Sequence, residues 1–348
     1  MASSANPSLR PIVPTSDPVT AGWLETTEKA LGVLEEEGPA IEAGRELTAR
    51  ALDALHGAHL FRLSLPRSVG GYELPVPALA AVTERVAQTD ASAAWCLGQG
   101  LGCAMSAAFL EPATRREVFG PDAAVLAWGA GIQGTATACE GGYQVSGTWR
   151  FASGGKHATW LGAHCRVLEA DGTVRLTASG RPANRTALLP RASARIHDDW
   201  YVMGLKGTRS ESYTVEDLFI EERFTLDREI LDSAFENAPL YRFPTTNVYA
   251  SMFSGVALGI ARRLLDDFIG LAGKKTARGA PTSMRESPVI HTRLAEIEAK
   301  LGAARAYQRQ TIETVWEEVV KAGAISLSQR ARLRLATTHA INEAATVA

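Results

Sequence analysis

Cysteine is scarce in this chain and never spaced for chemistry. The four residues, Cys96, Cys103, Cys139 and Cys165, form no CxxC pair, which argues against a zinc site or a disulfide framework. Their apolar or small neighbours mark them as buried free thiols of a reducing cytosol, so a cytoplasmic protein is expected. An excess of charge is missing too. The 36 basic and 38 acidic residues leave a net −2, without the positive surplus that nucleic-acid binding needs. No basic segment followed by an apolar core opens the sequence, so no secretion signal is expected. Charge is uneven along the chain, −5 over residues 1–121, −2 over 122–256 and +5 over 257–348. Solvated faces account for that most simply, although lobes or subunits of opposite sign would also pack well.

Several catalytic and metal motifs are absent. His56 and His59 stand at a helix end without an HExxH arrangement, and His157 and His164 have no carboxylate or thiolate company, so no metal is expected. There is no GxSxG elbow to activate a serine. Gly129-Ala-Gly131-Ile-Gln-Gly134 matches the dinucleotide GxGxxG string, but the β-branched, Gly-rich Thr135–Gly142 that follows does not read as a helix, which weighs against a Rossmann site. Ala91–Leu110 is uncharged over a membrane-spanning length, yet it is crowded with Ala, Gly and Ser, contains Gln99 and lacks basic flanks. A buried helix of a soluble bundle is the better reading, with no membrane partner. Glu35-Glu-Glu37 reads as a solvated helix end.

What is present divides into parts. Residues 1–20, rich in Ser, Pro and Asn, read as a mobile lead-in. Residues 21–121 carry helical periodicity: Leu47, Ala51 and Leu55, then Leu79, Val82 and Val86, then the uncharged helix after Asp90. Over 122–228 the pattern changes to short alternating runs, Ala123–Trp128, Tyr143–Phe151, Trp160–Leu168, Thr173–Ala178, Thr186–Leu189 and Tyr213–Ile220, which predict an antiparallel β lobe. Helices return over 240–348. One stripe runs Phe253, Val256, Ala257, Ile260, Leu264 to a loop around Gly279-Ala-Pro281, and a longer one runs from Leu294 to Val319. Ser326 with Gln329 forms a capping box for a last helix that reaches Ala348 without a stop signal. The class is α+β: a helical lobe, a β lobe and a helical bundle.

The most informative segment is Gly141–Gly154. Tyr143, Val145 and Phe151 alternate after a Gly-Gly turn, so Phe151 and Ser153 are expected on one strand face. There the aromatic can cover a ring face while the hydroxyl bonds a ring nitrogen or oxygen.

Trp149-Arg-Phe-Ala-Ser-Gly-Gly-Lys-His-Ala-Thr-Trp160 resembles the flavin-contacting strand of the acyl-CoA dehydrogenase superfamily. The likeness extends to Gly70-Gly-Tyr-Glu-Leu-Pro75, Thr89-Asp-Ala-Ser-Ala-Ala94, Met203-Gly-Leu-Lys-Gly-Thr-Arg-Ser210 and Val215-Glu-Asp-Leu-Phe219, and so covers nearly the whole chain. It implies a flavin cofactor, FAD or FMN, bound by Trp128, Gly129, Phe151 and Ser153, with Ser153 at the reactive ring nitrogen. The plain alternative is that Trp128 and Phe151 are core aromatics, and for Trp128 it weighs as much as the flavin role. The family's Gly-rich loop and further helices have no counterpart before Ala348, which implies a truncated bundle and weak flavin binding.

Departures from the family pattern point to a branch. Ala127-Trp-Gly-Ala-Gly-Ile-Gln-Gly134 stands where dehydrogenases carry a Thr-Glu-Pro-x-x-Gly-Ser-Asp segment, and Asn247–Ser254 places Tyr249 where a catalytic Glu would stand. Without a carboxylate, proton abstraction from an acyl thioester has no agent. The remaining features are similar to two-component flavin monooxygenases of this fold, although Trp95 and Gln99 replace the histidine they place on the buried helix. That resemblance implies reduced flavin from a separate reductase, oxygen, a small aromatic or polyketide-like substrate and a homotetramer. Two alternatives stay open: an acyl-CoA dehydrogenase, and a non-catalytic flavin-binding or assembly subunit.

Overall fold

The computed structural model describes residues 17–227, 230–276, 278 and 283–347. The expected lead-in lies outside the described residues as far as residue 16, and the loop around Gly279-Ala-Pro281 lies largely outside them too. Asp17 caps the first helix, α1 (Pro18–Gly44), accepting from the backbone N–H of Thr20 at 2.8 Å. Glu35, Glu36 and Glu37 fall inside α1 rather than at its end, because the buried stripe of Leu31, Leu34 and Ile41 carries the helix past them. Glu35 there meets Arg263 at 2.8 Å. The helices α2 (Ala49–Gly57), α3 (Val76–Ala87), α4 (Ala91–Ala104) and α5 (Pro112–Phe119) complete the first lobe.

The α4 helix is the uncharged segment. Asp90 caps it, accepting from Ala93 N–H at 2.7 Å. Only Ala91, Trp95 and Gln99 escape full burial along its length. Spaced by four, they form one line on one face. The rest of α4 is core, with burial pushing the Cys96 thiol well above its ordinary range. Three of the four cysteines are buried, as expected, whereas Cys139 is exposed at the end of its strand.

Among the described residues, eight strands make one sheet: β1 (Leu126–Trp128), β2 (Gly134–Cys139), β3 (Gly142–Trp149), β4 (Trp160–Leu168), β5 (Asn184–Pro190), β6 (Arg195–Ile196), β7 (Tyr213–Glu221) and β8 (Thr225–Leu226). The order is β6-β7-β3-β2-β4-β5-β8, with β1 also on β4. The sheet is mixed rather than wholly antiparallel, because β1 and β2 both run parallel to β4. These two are successive pieces along one edge of β4, Trp128 opposite Gly162 and Gly134 opposite Cys165, interrupted by residues 129–133. The expected strand Thr173–Ala178 is a turn excursion with two isolated bridges, its Val174 and Leu176 exposed. It meets β4 only at that strand's end, Val174 opposite Leu168 and Arg175 N–H on the Val167 carbonyl at 3.0 Å, which is too short a pairing for a strand and which alternation alone could not reveal.

Three long helices close the fold: α6 (Thr245–Ala272), α7 (Pro288–Ala322) and α8 (Leu327–Ala345). By length and composition α6 could cross a membrane, but 61% of its apolar window is buried inside the protein, against α3, α4 and α8. Gly323, in a left-handed conformation, ends α7. The reciprocal bonds of Ser326 and Gln329 start α8, which stops at Ala345.

Candidate active site

The site is assembled where β3 ends. Trp149, the last residue of that strand, is fully buried, stacks on Tyr213 with centroids 5.3 Å apart, and donates its indole N–H to the His164 carbonyl at 2.9 Å. Its ring occupies a slot made by missing side chains. A Cβ on Gly134 would overlap the indole, one on Gly147 would stand 2.8 Å from it, and one on Gly129 would stand 2.8 Å from the Trp149 Cβ. Two of the three GxGxxG glycines therefore make room for a tryptophan. Gly134 opens β2, antiparallel to β3, and no helix follows, which removes the dinucleotide reading.

Beyond Trp149 the chain turns. Phe151 has φ +62°, an uncommon backbone for an aromatic, and Ala152 N–H bonds the Glu211 carbonyl at 3.1 Å to hold the turn. The Phe151 ring is 60% exposed and meets Trp200 edge to face at 6.1 Å. Ser153 points inward and is 6% exposed. It receives the Trp95 indole N–H at 3.0 Å and lies 2.7 Å from Ser210 Oγ. The expectation of one shared strand face is therefore corrected. The strand ends at Trp149, and a turn sends the aromatic out and the hydroxyl in.

Trp128 is almost fully buried, its ring edge-on to His164 at 4.9 Å and packed over Gly162. Its carbonyl accepts from Gln99 Nε2 at 3.5 Å. Gly129 is buried behind it against Trp149. Trp128 and Gly129 thus build the wall behind the site, while Phe151 and Ser153 stand at its opening.

That opening runs along the half-buried line of α4. Trp95 stacks on Phe253 at 4.2 Å, and Phe253 stacks on Tyr249 at 5.4 Å. The Tyr249 hydroxyl donates to the Gln99 carbonyl at 3.2 Å and lies 3.3 Å from Cys103 Sγ. Trp95, Gln99 and Cys103 on α4, with Tyr249 and Phe253 on α6, share a four-residue spacing that sets them on facing sides of the two helices. Nothing local in the sequence ties Ser210, Thr208 or Trp200 to Ser153.

No carboxylate stands among the side chains that define this opening. The neighbouring His157 is held neutral, its pKa pushed down to about 4 by burial, and its Nε2 is buried without a partner. His157 packs on Phe61, whereas His164 bonds Thr186 at 2.9 Å, so the two rings belong to different surroundings. An uncovered aromatic held out by its backbone, a buried hydroxyl beside it and an adjoining aromatic wall fit a flat heterocycle with one polar edge.

The comparisons with known proteins agree with that fit. Residues 251–348 match the family model of the acyl-CoA dehydrogenase C-terminal domain. The indole-3-acetate monooxygenase of Pseudomonas putida is 32% identical over 307 residues, 87% of this chain and 76% of that protein. This chain belongs to the flavin-dependent monooxygenases of the acyl-CoA dehydrogenase superfamily. The oxygenase component of the FADH(2)-dependent resorcinol hydroxylase of a Rhizobium species is 27% identical over 298 residues, 82% of this chain and 69% of that one. Among solved structures, XiaF from a Streptomyces species, in complex with FADH2 and glycerol, superposes with a TM-score of 0.85 at 22% identity, covering 94% of this chain and 83% of that one. The chain is thus a flavin-dependent oxidoreductase, and the monooxygenase expectation stands over the dehydrogenase and non-catalytic alternatives.

Proposed function

We propose that this protein is the oxygenase of a two-component system, hydroxylating a small planar aromatic compound with reduced FAD supplied by a separate reductase in the cytoplasm. The observation that carries the substrate class is the stack Trp95–Phe253–Tyr249 beside Ser153, a wall of rings suited to offset stacking of an aromatic guest. The names of the relatives support it, since one acts on indole-3-acetate and another is an FADH(2)-dependent oxygenase component. Reduced flavin, when bound, supplies activation of dioxygen and delivery of one oxygen atom. This chain's residues do the rest. Phe151 and Ser153 hold the ring plane and its nitrogen edge. Trp95, Phe253 and Tyr249 exclude water and set the orientation of the substrate. Tyr249 keeps its own ring fixed through its bond to the Gln99 carbonyl.

Anaerobic titration with reduced FAD, and with FMN for comparison, tests the reading. Ser153→Ala is expected to weaken binding of reduced FAD about three- to tenfold, the worth of one hydrogen bond. Wild-type protein that takes up neither flavin, or forms no hydroxylated product from any of a panel of small planar aromatic compounds when reduced flavin and oxygen are supplied, refutes it.

We also propose a homotetramer built as a dimer of dimers. Its support is the apolar surface left on α6, α7 and α8: Leu264, Leu271, Val289, Leu327 and Leu335 are between 44% and 79% exposed. Light scattering at micromolar concentration is expected to give four times the chain mass, and a monodisperse monomer would rule the assembly out.

A further inference from the structure

The hydroxyl at the centre of the site is the end of a chain of hydroxyls. Ser153 Oγ lies 2.7 Å from Ser210 Oγ, and Ser210 Oγ lies 2.7 Å from Thr208 Oγ1. The Thr208 hydroxyl in turn donates to the Leu205 carbonyl at 2.9 Å. A carbonyl can only accept, and each hydroxyl has one proton and two lone pairs. With the Thr208 proton on Leu205, the proton between 208 and 210 comes from Ser210, and the proton between 210 and 153 comes from Ser153. The Trp95 N–H, a donor only, takes one of the two lone pairs on Ser153. One lone pair is left. Ser153, Ser210 and Thr208 are 6%, 4% and 1% exposed, so bulk water does not compete for this order.

We infer that this chain fixes Ser153 as a hydrogen-bond acceptor toward the ligand, that Ser210 and Thr208 are the positioning residues that make the site select reduced over oxidised flavin, and that Trp95 only anchors the Ser153 hydroxyl. The central-ring nitrogen of reduced flavin carries a proton to give, whereas the same nitrogen of oxidised flavin can only accept. The inference rests on the flavin reading above. The opposite order, Thr208 to Ser210 to Ser153, would leave Ser153 free to donate. It would cost the Leu205 carbonyl its shortest donor, leaving the Thr208 and Trp200 N–H groups at 3.2 Å.

The test is a set of dissociation constants for oxidised and reduced FAD, measured by fluorescence and anaerobic absorbance titration. Wild-type protein is expected to bind the reduced form about tenfold or more tightly. Ser210→Ala releases the Ser153 proton, so it should tighten oxidised FAD, weaken reduced FAD and cut the ratio about three- to tenfold. A tenfold change in that ratio appears as about 30 mV in the two-electron potential of the bound flavin. Trp95→Phe removes a donor to Ser153 but leaves its proton on Ser210. It should weaken both forms alike and hold the ratio within about twofold, an outcome that a merely structural role for Ser210 would not separate from Ser210→Ala. Thr208→Val carries the same expectation as Ser210→Ala if that variant does not fold. A ratio unchanged in both, or a wild type that prefers oxidised FAD, overturns the inference and leaves the flavin site standing. A wild type that binds neither form takes the flavin reading down, and the inference with it.

Discussion

Trp149→Ala is expected to destabilise the protein by about 3–5 kcal/mol, the range for deleting a large buried aromatic. The indole is fully enclosed, stacked on Tyr213 and bonded to the His164 carbonyl, so its loss leaves a cavity in the middle of the sheet and takes one of the donors from that carbonyl, which keeps the Gln133 N–H at 3.2 Å. The consequence reaches the site. Gly134 and Gly147 lie against this ring and Gly129 against its Cβ, and Ala130 N–H bonds the Arg150 carbonyl at 3.2 Å just after it. Removing the ring frees residues 129–134 and the turn bearing Phe151 and Ser153 together. Flavin affinity should therefore fall far more than Ser153→Ala alone lowers it. Urea unfolding with parallel flavin titration checks both halves. A stability loss below about 1 kcal/mol, or flavin binding unchanged in a destabilised variant, would show that the slot does not support the site.

The same tryptophan marks how far the sequence could be read. Helix caps and stripes were legible because they are local: Asp90 before α4, Ser326 with Gln329 before α8, and Leu301, Ile312, Val315 and Val319 on one face of α7. The layout of helical lobe, sheet and bundle followed from those periods and from the family strings. The end of β3 was not legible. Alternation through Tyr143 and Val145 gives no sign of the register shift between Val145 and Gly147. The left-handed Phe151 is held by bonds that span 20 and 59 residues, Ala130 against Arg150 and Glu211 against Ala152. A period of two cannot carry that information. Ser210 and Thr208 were hidden for a similar reason, since only the fold brings the turn over residues 206–208 against Ser153. Trp95, Gln99 and Tyr249 were visible as departures from the family pattern, but their role as one wall needed the α4–α6 packing.

That packing makes Gly102→Ala the sharpest probe of the substrate wall. Gly102 sits on α4 beneath Tyr249, and a Cβ there would overlap the phenol ring. The ring must move by more than an ångström to reach ordinary contact, and only its exposed side, toward the opening, is free of α4. Overpacking of this kind costs about 1–3 kcal/mol. The displaced ring loses its bond to the Gln99 carbonyl and its stack on Phe253, so the wall that orients the substrate shifts as a unit. A misplacement of that size is worth up to about a hundredfold in kcat/KM. Flavin binding should fall much less than kcat/KM, because the displaced ring reaches Ser153 only through Phe253 and Trp95. Adding Tyr249→Ala to Gly102→Ala should restore most of the stability, by removing the clash, and none of the activity, because the ring that orients the substrate is then gone. If the double variant instead recovers kcat/KM, Tyr249 is only an obstacle that alanine clears, and the aromatic wall lies elsewhere.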